Sequence, residues 1–201
     1  MMASISLVKG QKISLSKDHA GLAKIFMGLG WDMAKPSGGK GLFGGLFGGG
    51  GSEQNIDLDA SCLVFDDQGA LLDQIWFSQL KGMNGAIVHT GDNLTGDGDG
   101  DDESIKVDLS KLPANVKTLM FTVNSFRGQT FDQVANAFCR VVDDTTNQEL
   151  ARFNLSDSGS HTGLVMAKIY RHQNEWKLHA IGEKTSGRTF HDMMPLIKTL
   201  L

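Results

Sequence analysis

Apolar and polar residues alternate in short runs along most of this chain. Between residues 57 and 66, Leu58, Ala60, Cys62 and Val64 fall on one side and Asp57, Asp59 and Ser61 on the other. A period of two with this composition predicts a strand with one wet face. Asp67-Gln68-Gly69 reads as a turn and residues 71–77 as the returning strand. Residues 4–8 and 12–15, joined by Lys9-Gly10-Gln11, read as a hairpin. Residues 23–31 are apolar and glycine-spaced, a buried strand closed by Asp32. Further strands are expected at 86–89, 105–109, 117–126, 137–143, 148–154, 163–171 and 175–181, with a helical turn within 129–135. Short strands at this spacing, joined by turn-like segments at 143–147, 156–160 and 172–174, predict a mainly all-β fold, a β-sandwich of two sheets. The tail, about 188–201, has apolar residues at helical spacing and predicts a short C-terminal helix.

Length is consistent with one domain: 201 residues with 40% hydrophobic content can bury a sizeable core. The Gly-rich stretch at about 35–52 has the composition of a flexible insertion rather than of a boundary, because neither half around it has enough strands to stand alone. Leu42, Phe43, Leu46 and Phe47 within it read as a loose flap, or as a small apolar patch for a membrane or partner. A net charge of −4 with no basic stripe argues against nucleic acid as a partner. Residues 1–11 do not resemble a signal peptide, and the longest apolar stretch, 25–31, is far too short to span a bilayer, so a cytoplasmic protein without a transmembrane segment is expected. Cys62 and Cys139 form no CxxC motif, have no zinc-like histidine spacing, and read as buried free thiols.

One stretch carries chemistry. Residues 91–103 hold Asp92, Asn93, Asp97, Asp99, Asp101, Asp102 and Glu103, with Gly91, Gly96, Gly98 and Gly100 interleaved and no Lys or Arg. Two carboxylates about 4 Å apart repel by about 4 kcal/mol at an effective dielectric near 20. Dense repulsion in a backbone built to turn tightly points to a hard dication, and calcium takes six to eight oxygens of this kind. The loop is no EF-hand: counted from Asp97, the sixth position is Asp102 rather than glycine, and the flanks read as strands. Asp57 and Asp59, near a strand start, are candidates to reach the same site, with Asp32 a weaker one.

These motifs together resemble the TerD family of bacterial tellurite- and stress-resistance proteins. The resemblance rests on Gly28-Leu29-Gly30-Trp31-Asp32, Asp57-Leu58-Asp59-Ala60-Ser61, His89-Thr90-Gly91-Asp92-Asn93, Thr95-Gly96 and Gly98-Asp99-Gly100-Asp101-Asp102-Glu103. Residues 131–140, Glu149-Leu150-Ala151-Arg152, Tyr170-Arg171 and Trp176-Lys177 add to it, so that it spans roughly residues 4–182. It implies a β-sandwich with calcium sites, two ions being expected, and a role in resistance to tellurite and other chemical stress. It implies assemblies with other tellurite-resistance proteins, including a membrane partner on the cytoplasmic face, and hence a location in the cytoplasm or at the periphery of the inner membrane. The family's calcium-site residues map onto Asp57, Asp59, Asp92, Asn93, Asp99, Asp101, Asp102 and Glu103, with Asp97 at a less fixed acidic position. The chain departs from the family pattern in the 38–50 stretch and in the tail from Lys184.

Two other function classes compete. A metal-dependent hydrolase would use His89 as a base, against a structural strand-end histidine. No HExxH, nucleophile elbow or P-loop accompanies it, and Gly38-Gly39-Lys40-Gly41 lacks the Walker spacing, so no enzyme is expected. A calcium-dependent membrane module resembling C2 domains would use the Leu42–Phe47 flap beside the metal loop, but the sequence shows no Lys/Arg cluster of the kind that attracts anionic lipid.

Overall fold

The computed structural model describes residues 4–19, 21–33, 57–91, 100–155 and 159–201. In chain order the elements are β1 (Ile5–Leu7), β2 (Lys12–Ser14), the single turn α1 (Leu15–Asp18), β3 (Lys24–Met33), β4 (Leu58–Phe65), β5 (Leu71–Ile75), β6 (Lys81–Gly82) and β7 (Ile87–His89). They continue with β8 (Glu103–Asp108), β9 (Thr118–Ser125), β10 (Val134–Asp143), β11 (Gln148–Asn154), β12 (Gly163–His172), β13 (Glu175–Thr185) and α2 (Phe190–Thr199). One sheet has the order β1-β11-β10-β3-β8-β7-β6 and the other β2-β13-β12-β9-β4-β5. The expected all-β sandwich with a C-terminal helix is therefore observed. The strand alternation turns one residue set from each sheet inward, and Met27, Leu29, Trp31, Ile105, Val107, Leu58, Ala60, Phe121, Ile169 and Leu178 meet in a shared core.

Three local readings change. The segments at 4–8 and 12–15 are not a hairpin. β1 pairs in parallel with β11, whereas β2 pairs antiparallel with β13 in the other sheet. The turn between them carries the chain from one sheet to the other, which a period-two pattern in three-residue strands cannot distinguish from a hairpin. Asp32 does not close its strand; β3 runs on to Met33.

β4 also has no wet face. All of its residues are buried, Ser61, Leu63 and Phe65 included. At Leu63 and Phe65 the reason is α2, which lays Phe190, Met193 and Ile197 on Leu63, Phe65, Met120, Val165 and Ile181 to make a second apolar layer outside the sheet. The Asp192 carboxylate fixes the start of the helix by accepting the N–H groups of Arg188 at 2.9 Å and Thr189 at 3.2 Å.

Candidate functional site

The acidic segment joins β7 to β8, which pair antiparallel with His89 opposite Ile105. Asp57, Asp59, Asp101, Asp102 and Glu103 lie within the described residues, whereas Asp92, Asn93, Asp97 and Asp99 lie outside them. Gly91 and Gly100 have φ of 129° and 111°, conformations that L side chains rarely adopt.

From Gly100 onward the chain is clamped to β3. The Asp102 N–H donates to the Leu29 carbonyl, and its Oδ2 accepts the Trp31 N–H, each at 2.8 Å. One residue earlier, Asp101 lies across the outer face of the seven-stranded sheet. It passes over Gly28 and meets Arg140 on β10 in a two-pronged ion pair, Nε to Oδ1 at 2.8 Å and Nη2 to Oδ2 at 2.9 Å. The glycines of the Gly28-Leu29-Gly30 motif thus make room. A Cβ on Gly28 would stand 2.3 Å from Asp101 Cγ, and one on Gly30 2.6 Å from the Gly100 carbonyl oxygen. Arg140 also reaches Glu149, which Arg152 and Ser4 hold from the other side.

Glu103 alternates inward. Its Oε2 accepts the Ala60 N–H at 2.7 Å, joining the two sheets at this end. β9 flanks Ala60 on one edge through Val123, but β5 pairs with β4 only as far as Cys62 opposite Ile75, so on the other edge no strand is paired with Ala60 to take that N–H. The same Oε2 stands 3.5 Å from His89 Nε2. His89 Nδ1 accepts the Gly91 N–H at 3.2 Å, which assigns the proton of a neutral ring to Nε2, facing the glutamate. Both side chains are buried, and His89 is hydrogen-bonded to the first residue of the acidic segment.

Asp57 and Asp59 alternate with Leu58 and Ala60, and so turn to the outer side of the six-stranded sheet. Asp57 Oδ2 accepts from Arg127 Nε at 3.1 Å, and Asp59 lies opposite Asn124 on β9. Asp32 is on the far sheet, exposed, accepting from Asn136 Nδ2 at 2.7 Å, and does not join Asp57.

Exposures of 6% for Asp57, 5% for Asp59 and 2% for Glu103 are unusual for carboxylates, which favour burial only with compensating charge or hydrogen bonds. These groups do not converge on one point: Asp101 lies outside one sheet, Asp57 and Asp59 outside the other, and Glu103 between them. Among the described residues, no three His, Cys, Asp or Glu side chains are close enough to hold a metal ion. What they offer is hard oxygen at the root of the acidic segment. Arg140 falls within a motif already noted in the sequence, whereas Arg127 carried no sequence signal at all.

A two-sheet sandwich with buried carboxylates at the mouth of an acidic β7–β8 connection defines a β-sandwich class with an acidic end. The TerD domain model matches residues 2–194, and the chain belongs to that family of tellurium-resistance and stress-response proteins. The match extends through the tail to residue 194, past the point where the sequence motifs fade. Tellurium resistance protein TerZ of Serratia marcescens is 56% identical over 189 residues, covering 94% of each chain. Stress response protein SCP2 of Bacillus subtilis is 47% identical, covering 95% of this chain and 98% of that one. The crystal structure of a homologue of telluride resistance protein TerD from Streptomyces coelicolor A3(2) shares the fold, with a TM-score of 0.67 at 18% identity over 87% of this chain and 98% of that one.

Proposed function

We propose that this chain is a calcium-stabilised interaction module within a tellurium-resistance and stress-response system. The observation that carries the reading is the burial of Asp57, Asp59 and Glu103 where the acidic segment leaves the sandwich. Carboxylate oxygens in that setting suit a calcium ion, which takes oxygen ligands in flexible geometry. Asp57, Asp59, Asp102 and Glu103 are the described candidates, divided between two ions since they do not meet at one point, together with Asp92, Asn93, Asp97 and Asp99 from the segment itself. Asp101, with both oxygens on Arg140, is better suited to anchoring the segment than to holding an ion. Calcium would supply the positive charge that the segment lacks, and the stiffened end would then present a surface to partner proteins of the same system. Such partners, a membrane protein on the cytoplasmic face among them, belong to this proposal, as does a non-enzymatic role.

Thermal melting of chelator-stripped protein tests it. Calcium at about 100-fold its Kd should add roughly 2.7 kcal/mol per site, and Asp59→Asn should remove most of that gain. An unchanged melting temperature on adding calcium to the wild type would overturn the reading.

A further inference from the structure

α2 covers only part of the outer face of the six-stranded sheet, and the register of β2, β13 and β12 fixes what the uncovered part carries. Lys12 lies opposite His179, and His179 opposite Lys168. One pleat along, Ser14 lies opposite Lys177, and Lys177 opposite Tyr170. Their chain neighbours Ile13, Leu178 and Ile169 point into the core, so these six face outward together. The first row continues across the sheet into Met120 and Leu63, which lie beneath α2.

The six positions of this grid carry three lysines and no carboxylate. Three ammonium groups stand on adjacent strands about 4.8 Å apart. Among the described residues no Asp or Glu side chain forms an ion pair with Lys12, Lys168 or Lys177; Glu175, two residues before Lys177 on the same face of β13, feels the Lys177 charge but is held by Lys17 and Ser14. Lys168 donates to the main-chain oxygens of Leu200 and Leu201, closing the end of α2. Burial and then Lys12 lower the basicity of Lys168, and burial followed by Lys12 and Lys168 lowers that of His179. His179 Nδ1 is shielded and has no hydrogen-bond partner among the described residues. In a chain of net charge −4, such a concentration of cations is a local feature and not a consequence of composition.

We propose that this grid is a docking surface for the phosphate headgroups of an anionic bilayer, met without a metal ion. Side chains on a strand stand roughly perpendicular to the sheet, so the Lys12 and Lys177 ammonium groups spread over a plane, with Lys168 at its edge closing the end of α2, instead of closing on one small anion. A plane of phosphates matches that layout. Lysine stems and Tyr170 offer apolar bodies with polar tips, the form suited to a membrane interface. Beside the grid, the turn between β1 and β2 is pinned by the Gly10 N–H on the Ala180 carbonyl and exposes Val8, 67% accessible, next to Lys9, which pairs with Glu183 at 2.9 Å. A bilayer accommodates an apolar tip beside a cationic face, which a purely acidic protein surface does not.

Vesicle sedimentation of the full chain in EDTA tests the proposal. Vesicles containing phosphatidylglycerol should carry the protein down at low salt and release it as salt rises, and pure phosphatidylcholine should not bind it. Lys12→Glu with Lys177→Glu should lower partitioning by at least about tenfold, whereas Lys81→Glu with Lys106→Glu, the same charge change on the other sheet, should leave it within about twofold. Melting curves establish that each variant folds, and Lys12→Gln with Lys177→Gln, which removes charge without reversing it, should weaken binding in the same direction. No sedimentation with anionic vesicles, or equal loss in both charge-reversed variants, would overturn the proposal. Binding of inorganic phosphate or polyglutamate without vesicle binding would equally overturn it, reassigning the grid to a free anion or an acidic protein.

Discussion

The Asp101 carboxylate lies directly over the α-carbon of Gly28, close enough that a Cβ there would stand 2.3 Å from its Cγ. Arg140, opposite Gly28 on the adjacent strand, grips both carboxylate oxygens from the far side, so the carboxylate has no room to retreat. Gly28→Ala must therefore break this pair or shift β3. Overpacking of this kind costs about 1–3 kcal/mol, measurable by urea denaturation. A variant as stable as the wild type would mean that Asp101 is not held there.

Glu149, at the other end of the same network, gives a pH signature. Burial alone would push its carboxyl up, but hydrogen bonds from Arg152, Ser4 and Arg140 outweigh it and hold the group at about 2. A carboxyl whose pKa is lowered by folding stabilises the fold in full above its unfolded value and loses that contribution as pH falls through the folded one. The melting-temperature gap between wild type and Glu149→Gln should hold steady above about pH 5 and close between about pH 4.5 and 2. A gap independent of pH across that window would contradict the ion-pair network.

The helix α2 should behave as part of the fold. Phe190 is buried against Leu63, Phe65 and their neighbours and packs edge-on to Trp76 with ring centroids 5.3 Å apart. Phe190→Ala should cost about 3–5 kcal/mol and alter Trp76 emission. A loss below about 1 kcal/mol would mark the helix as a loosely attached tail.

Both thiols should be inert in the folded protein. Cys62 and Cys139 are buried and free. Burial pushes the Cys139 thiol up to about 12, and the Cys62 thiol higher still through burial and the nearby Asp73. The thiolate is the reactive form, so a disulfide reagent should modify neither until the chain unfolds. Prompt native-state labelling would contradict this.

Much of the sandwich was legible because its strands follow a period of two and their turns carry Gly, Asn and Asp. What escaped was set by distant partners. Asp57, Asp59 and Ser61 looked like a solvent face because nothing near them in sequence announces that the sheet is covered, by α2 at Leu63 and Phe65 further along the same face. The lysine grid was invisible for the same reason: Lys12, Lys168 and Lys177 come from three strands and gather only through register. The glycines of Gly28-Leu29-Gly30 were legible as a motif but not as clearance for Gly100 and Asp101. The acidic segment itself was read directly, and its root at Glu103 and Asp102 sits against β4 and β3. The arginines that face Asp57 and Asp101 required the structure.

Calorimetric titration of chelator-stripped protein with calcium, alongside a magnesium control, tests the central claim most directly. The account predicts micromolar or tighter binding at one or two sites, little competed by magnesium, and strongly weakened by Asp59→Asn or Glu103→Gln. No binding heat with the wild-type protein would contradict it, leaving the acidic segment a solvated loop on a TerD-family sandwich.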